Sequence, residues 1–222
     1  LTAERENEPL TGKDLLKLEP DARARLGLFL AFQTPVSIPG VSVGKFLRHL
    51  YKTKTQGLNG STTQKKVDIQ SAIALNKILE EYAEKLHIKR ELLNRSLNDN
   101  FSGGEKKRNE ILQMMALRPK LVILDEIDSG LDVDGLRIVA NAIKRFTINN
   151  KRSSVILITH YARILKYLKP DFVHVMVDGK IVKSGRARLA QEIEENGYQS
   201  LQNVIAIPSP VILNEVKNLM VM

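Results

Sequence analysis

Hydrophobic and polar positions along the chain follow two different periods. Leu26 to Phe32 is an almost unbroken apolar run of strand length, preceded by a short helical stretch after Pro20. It stops at Gln33 and gives way to a loop marked by Pro35, Pro39 and Gly40. From Asp68 to Leu86 the apolar residues Ile69, Ala72, Ile73, Leu79, Tyr82, Ala83 and Leu86 recur at helical spacing. Ser102-Gly103-Gly104-Glu105 has the form of a capping box, which predicts a helix running through Leu117 and halted by Pro119. Leu121 to Leu124 is short, continuous and partly β-branched, as a buried strand requires, and Ser154 to Ile158 repeats that pattern. Between them, Leu136, Val139, Ala140 and Ile143 fall on one face of a helix over 131–146. Residues 164–168 read as helical. Phe172–Val177 and Ile181–Lys183 flank Asp178-Gly179 as a hairpin, and 188–195 form a last helix. The strand–helix–strand rhythm over 121–158 predicts an α/β fold with parallel strands.

Composition narrows the function classes. At 222 residues the chain is one domain, or one with a sub-domain, and 43% apolar residues suffice for a core. Cysteine is absent, which excludes disulfides, a thiol nucleophile, thiolate zinc sites and direct ligation of an iron–sulfur cluster by thiolates of this chain. No run of about 18 apolar residues predicts a membrane span, and no signal peptide pattern opens the chain, so the expected location is cytoplasmic. Lys and Arg number 34 against 25 Asp and Glu, a net charge of +9. Almost all of it lies between Ala22 and Val67, where Arg23, Arg25, Lys45, Arg48, Lys52, Lys54, Lys65 and Lys66 meet no acid. A solvated loop and helix face explains this better than nucleic-acid binding, because no aromatic ladder accompanies the charge. Residues 53–66 are polar and turn-rich and read as a mobile insertion.

Four features carry chemistry, each weak alone. Gln33 ends an apolar strand and could orient water or touch Mg²⁺, although a lone Gln is usually without function. Ser102-Gly103-Gly104 opens a helix whose amides and dipole favour phosphate, though an ordinary N-cap looks the same. Asp125 and Glu126 follow a hydrophobic strand. The first is placed to hold Mg²⁺ and the second to polarise an attacking water; equally, the pair could cap the next helix. His160 ends another strand, where α/β folds place ligands, and can hydrogen-bond a γ-phosphate; a lone histidine is more often structural.

Taken together and in this order, the Gln loop, SGGE, LVILDE, SGLD and ITH resemble an ABC-type P-loop ATPase domain. Longer stretches sharpen the likeness: GLFLAFQTPVSIPGVS (27–42), LLNRSLNDNFSGGEKKRNEILQMMAL (92–117), ILDEIDSGLDVDGLRIVANAI (123–143) and ITHYARILKYLKPDFVHVMVDGKIVKSG (158–185) are similar to the SufC-type ATPase subunits of iron–sulfur cluster assembly. The resemblance covers about 11–201. It implies an ABC ATPase core over 1–201 with a helical sub-domain and signature helix at about 41–118, and a tail at 202–222, extended or weakly ordered, that belongs to no family pattern. It implies Gln33 as the Q-loop residue, Ser102, Gly103 and Gly104 as contacts to ATP bound mainly by an opposite subunit, and Asp125 as the Mg²⁺ residue. Glu126 would be the catalytic base, Asp132 the D-loop residue and His160 the switch histidine. The implied ligands are ATP and Mg²⁺. The implied partners are SufB- and SufD-like scaffold proteins and a second SufC-like subunit, paired when ATP is bound.

Besides its tail and the insertion at 53–66, the chain departs from this pattern at its front. No G-x-x-x-x-G-K-[ST] loop occurs. Gly40 to Phe46 imitates it one residue short, with Phe46 in place of the hydroxyl, and follows the Gln loop instead of preceding it. The first residue is Leu, and the expectation is a chain cut at its front, lacking the strand, phosphate loop and helix that open the family fold. Such a chain alone would bind ATP weakly, and the strand carrying Asp125 would lack a neighbour. Three rivals remain: a nucleotide-binding subunit of a membrane transporter, a non-catalytic scaffold-binding remnant, and a nucleic-acid-associated ABC ATPase.

Overall fold

A computed structural model describes residues 14–57, 69–177, 179–196 and 217–221. A short 3₁₀ turn, Leu15–Lys17, leads into α1 (Pro20–Leu26), which Pro20 opens at a position where its missing N–H costs nothing. Gly27 closes α1 in the left-handed region at φ +100°. Its carbonyl accepts from the amides of Lys120 and Leu121, and a Cβ there would press on the Lys120 backbone at 3.2 Å. The chain then enters β1 (Leu28–Ala31), β2 (Ile38–Ser42), α2 (Val43–Gly57), α3 (Ile69–Lys85), α4 (Arg90–Asn94) and β3 (Ser96–Leu97). There follow α5 (Gly103–Leu117), β4 (Leu121–Asp125), α6 (Val133–Asn149), β5 (Ser154–Thr159), a 3₁₀ turn (Ala162–Lys166), β6 (Phe172–Val177), β7 (Lys180–Gly185), α7 (Ala187–Asn196) and β8 (Lys217–Val221).

The main sheet has the order β1-β4-β5-β8-β6-β7, and β2 pairs with β3 in a small separate ladder. The strands β1, β4 and β5 are parallel, with Leu30 opposite Ile123 and Ile123 opposite Ile156. Alternate residues of β4, β5 and β6, among them Val122, Leu124, Val155, Leu157, Val173 and Val175, are fully buried. The apolar stripes of α5 (Ile111, Leu112, Met114) and α6 (Val139, Ala140, Ile143, Phe146) supply much of the remaining core. Each of these larger side chains, Ala140 aside, contributes about 1.5–3 kcal/mol on burial. The helix α2 packs on α3, α4 and α5, and α3 packs on α5 as well, with Leu47, Leu79, Ala83 and Leu92 buried among them.

Five features differ from the sequence reading. The Pro39 loop is the two-sided β2/β3 ladder, which tolerates a proline because β2 has only one partner strand. The turn-rich stretch from 53 continues α2 as far as Gly57, and the rest of it, 58–66, lies outside the described residues. Ile73 is 62% exposed while Leu75 is buried, so the apolar face of α3 is rotated from the one read off the spacing. β4 and β5 are parallel, as the rhythm over 121–158 predicts, but the sheet gains a strand that the sequence did not declare, β8, antiparallel to both β5 and β6. Residues 217–221 of the tail therefore form a central strand of the same sheet, whereas 202–216 lie outside the described residues. The strand carrying Asp125 does not lack a neighbour, because β1 and β5 flank it on both sides.

Candidate functional site

The parallel strands β1, β4 and β5 end side by side, and polar residues stand at or just past the end of each. Gln33 follows β1, Asp125 and Glu126 end β4, and His160 follows β5. Gln33 Nε2 donates to Glu126 Oε2 at 2.7 Å, and His160 Nδ1 lies 3.4 Å from Glu126 Oε1. The Glu126 carboxylate thus joins the other two although it is only 4% exposed. Its backbone sits at φ +48°, a left-handed conformation that costs a non-glycine residue of order 1–3 kcal/mol. The amide of Glu126 donates to the Ile158 carbonyl at 2.9 Å, which extends the β4–β5 pairing by one residue and helps hold that turn. The His160 ring leans on Tyr161, centroids 3.9 Å apart.

Beneath this cluster Asp128 is fully buried. It accepts from Thr159 Oγ1 at 2.7 Å, and Arg163 donates to its carbonyl at 2.8 Å. Burial pushes its carboxyl above the ordinary range, against the pull of the Thr159 hydroxyl. Two carboxylate oxygens, Asp125 Oδ1 and Asp128 Oδ1, are buried without a hydrogen-bond partner. An unsatisfied, buried anionic oxygen at the end of β4 suits a hard cation. Asp125 therefore fits a magnesium ion, and the amide oxygen of Gln33, whose Nε2 is turned to Glu126, has the chemistry of a second donor. Among the described residues no three acidic or histidine side chains gather as a complete metal cage, so such an ion would take its other ligands from phosphate and water.

The remaining sequence-identified residues form a second group. Ser102 caps α5: its hydroxyl accepts from the Glu105 amide at 3.3 Å, and its own amide donates to Glu105 Oε2 at 2.8 Å. The Ser102 amide holds the Glu105 carboxyl below its ordinary range. Gly103 is exposed, with open space where a side chain would stand. Asp132 caps α6 by accepting from Gly135 at 2.6 Å. Ser102, Gly104, Gly130, Asp132 and Gly135 line one hollow of about 370 Å³. Gln33, Glu126 and His160 do not line it. The structure thus brings the predicted residues together in two groups, not one.

Four residues escaped the sequence reading: Lys107, Glu110, Asp128 and Thr159. The signal for the first two was present. Lys107, Glu110, Ile111 and Met114 share a stripe of α5 at helical spacing, so two charges stand on a face that has to be buried.

Comparison with known proteins agrees with this geometry. A family model described as ABC transporter matches residues 4–129. A probable ATP-dependent transporter, ycf16 of Cyanophora paradoxa, is 49% identical over 194 residues, 86% of this chain and 71% of its own length. The chain belongs to the ABC transporter ATP-binding family. As an ABC ATPase it is also 48% identical to the probable ATP-dependent transporter SufC of Escherichia coli, over 84% of this chain and 72% of that protein. Identity to slr0075 of Synechocystis is 47%, over 89% and 73% respectively. Relatives named SufC, ycf16 and slr0075 place the ABC ATPase on the SufC-like branch. Its fold matches the dimeric, ADP- and phosphate-bound ATP-binding cassette MJ0796 with a TM-score of 0.61 at 16% identity, over 78% of this chain and 69% of that one. Among the described residues no helix is long and apolar enough to cross a membrane.

Proposed function

We propose that this ABC ATPase is the energy-supplying subunit of a cytoplasmic iron–sulfur cluster assembly system, and that hydrolysis of Mg-ATP between two paired copies rearranges a SufB- and SufD-like scaffold. The observation that carries the hydrolytic reading is the Gln33–Glu126–His160 contact set at the ends of three parallel strands. Glu126 accepts the proton of an attacking water while Gln33 fixes the carboxylate's direction. His160, on the other carboxylate oxygen, is placed to meet the γ-phosphate. Asp125 and Gln33 would hold the magnesium ion, which when bound neutralises charge on the β- and γ-phosphates. The chain itself does no covalent chemistry. It positions groups around the transferred phosphoryl and supplies electrostatic stabilisation. Ser102, Gly104 and Asp132 line a separate hollow, Gly103 stands exposed beside Ser102, and in this reading they complete the site of the opposite copy.

A surface beside the site supports the protein-scaffold part of the reading. Among the described residues β1 is the edge of the sheet, and an apolar groove of about 500 Å³ beside it is lined by Phe29, Leu30, Phe32, Phe46 and Leu50. Phe32, next to Gln33, is 51% exposed. An apolar edge of this kind needs a partner to stay out of water.

The test is co-expression of the chain with a SufB- and SufD-like pair, followed by phosphate-release measurements. Soluble scaffold should co-purify, and phosphate release should depend on it and on Glu126, with Glu126→Gln lowering turnover by about a hundredfold or more. Retention by a membrane subunit instead of the soluble pair would overturn the assembly role. Undiminished release by Glu126→Gln would overturn the catalytic assignment.

A further inference from the structure

The polypeptide around Gln33 is held from outside its own strand. Phe32 N–H donates to Glu110 Oε1 at 3.2 Å. Lys107 Nζ donates to the carbonyl of Phe32 at 3.2 Å and to that of Gln33 at 2.7 Å. Three backbone groups spanning Phe32 and Gln33 therefore end on two side chains of α5. Both are buried, Lys107 at 5% exposed and Glu110 at 6%. A third tie reaches the loop beyond: Asn109 Nδ2 donates to Asn98 Oδ1, and Asn98 Nδ2 donates to the Val36 carbonyl, each at 2.9 Å.

Such a pair of charges is a poor choice for stability. Glu110 Oε2 has no partner, and desolvation lowers the proton affinity of Lys107 while raising that of Glu110. An apolar pair at these positions would fill the stripe without those penalties. The charges do what apolar side chains cannot: they fix the direction of a short backbone segment that has left its sheet and whose own side chain is exposed. That side chain is Gln33, whose amide meets Glu126 at 2.7 Å.

We propose that Lys107 and Glu110 are positioning residues, which hold Gln33 against Glu126 by gripping the backbone at Phe32 and Gln33. The proposal rests on the hydrolytic reading above for its consequence, but the grip itself is testable without nucleotide. In the full chain, hydrogen exchange of the peptide covering Leu28–Gln33 is expected to quicken about tenfold in Glu110→Ala. In Glu110→Gln, which keeps an acceptor oxygen, the rate should return to within about twofold of the original. Segment 136–146 of α6 should not change in either. The imidazole resonance of His160, on the far side of Glu126, is expected to shift in Glu110→Ala in the direction that Gln33→Ala shifts it. Exchange unchanged at 28–33, exchange quickened throughout the chain, or a His160 resonance that Glu110→Ala leaves in place would each overturn the proposal.

Turnover with the scaffold present supplies the third arm. If Glu110 acts through Gln33, the Gln33→Ala/Glu110→Ala double variant loses no more activity than Gln33→Ala alone, and KM for ATP moves less than about twofold. Additive losses would overturn the proposal. If the original protein shows no turnover, the hydrolytic reading fails, and the two nucleotide-free arms still decide the grip.

Discussion

Glu110 lies on the buried stripe of α5, and burial raises its carboxyl from the ordinary 4.5 to about 7, although Lys107 and the Phe32 amide pull the other way. The consequence is a stability that depends on pH. Between 4.5 and about 7 the unfolded chain has released this proton while the folded chain retains it, so the folded state binds more protons and stability falls as pH rises. The contribution is complete below pH 4.5 and gone above about pH 7. At about 1.4 kcal/mol per tenfold change in proton affinity, the whole interval amounts to about 3 kcal/mol, an upper figure. For a chain of this length that corresponds to about 6–12 °C in melting temperature. Glu110→Gln removes the titration and preserves the acceptor for Phe32. Thermal unfolding followed by circular dichroism at pH 5 and pH 8 measures the difference. The original protein should lose more stability between the two than Glu110→Gln does, by up to about 3 kcal/mol. Asp128, raised in the same direction, leaves a residual slope common to both proteins. Parallel losses in the two would refute the claim that Glu110 is protonated in the folded state at pH 5 to 6.

Gly135→Ala places a Cβ 2.8 Å from Asp132 Oδ1, so the cap of α6 has to move; a loss of about 1 kcal/mol, matched by Asp132→Ala, should appear in urea unfolding. Gly103→Ala meets nothing within 4 Å and should leave the melting temperature unchanged. Under the proposed pairing it should still weaken ATP-dependent dimerisation measured by sedimentation, and intact dimerisation would remove Gly103 from the interface. Leu219→Pro sits opposite Ile158 and His174 within β8. It removes a ladder donor from a central strand and should cost about 1–3 kcal/mol by urea unfolding, whereas no change would mean that β8 does not hold that place.

Much of the architecture was legible because it is local. The capping box at Ser102, the apolar periods of α5 and α6 and the runs of β4 and β5 each declare one element, and neighbouring elements agree with one another. What failed was non-local. The β2/β3 ladder depends on a pairing across more than fifty residues, and Pro39 hid it. Nothing local marks residues 217–221 as a strand of this sheet, and only the assembled sheet shows that they stand between β5 and β6. The site divides in the same way. Gln33, Asp125, Glu126 and His160 could be named from their places after apolar strands. The convergence of Gln33 and His160 on the Glu126 carboxylate could not, because it depends on the left-handed turn at Glu126. Lys107 and Glu110 were passed over because a charged residue on a helix is ordinarily a surface residue.

The two groups of site residues are connected by one rigid element. Ser102 and Gly103 open α5, and Lys107 follows about 7 Å further along its axis at 1.5 Å per residue. The end of the helix that would face an opposite copy and the part that grips Gln33 therefore cannot move independently. A tilt of α5 on pairing moves Lys107 and Glu110 with it, and their hydrogen bonds carry the Phe32–Gln33 backbone along. Gln33 in turn sets the direction of the Glu126 carboxylate. Under the proposed pairing, the two charges on the buried stripe would link the exposed end of α5 to the Glu126 carboxylate. Apolar replacements would then leave a better-packed α5 and a carboxylate uncoupled from the second copy.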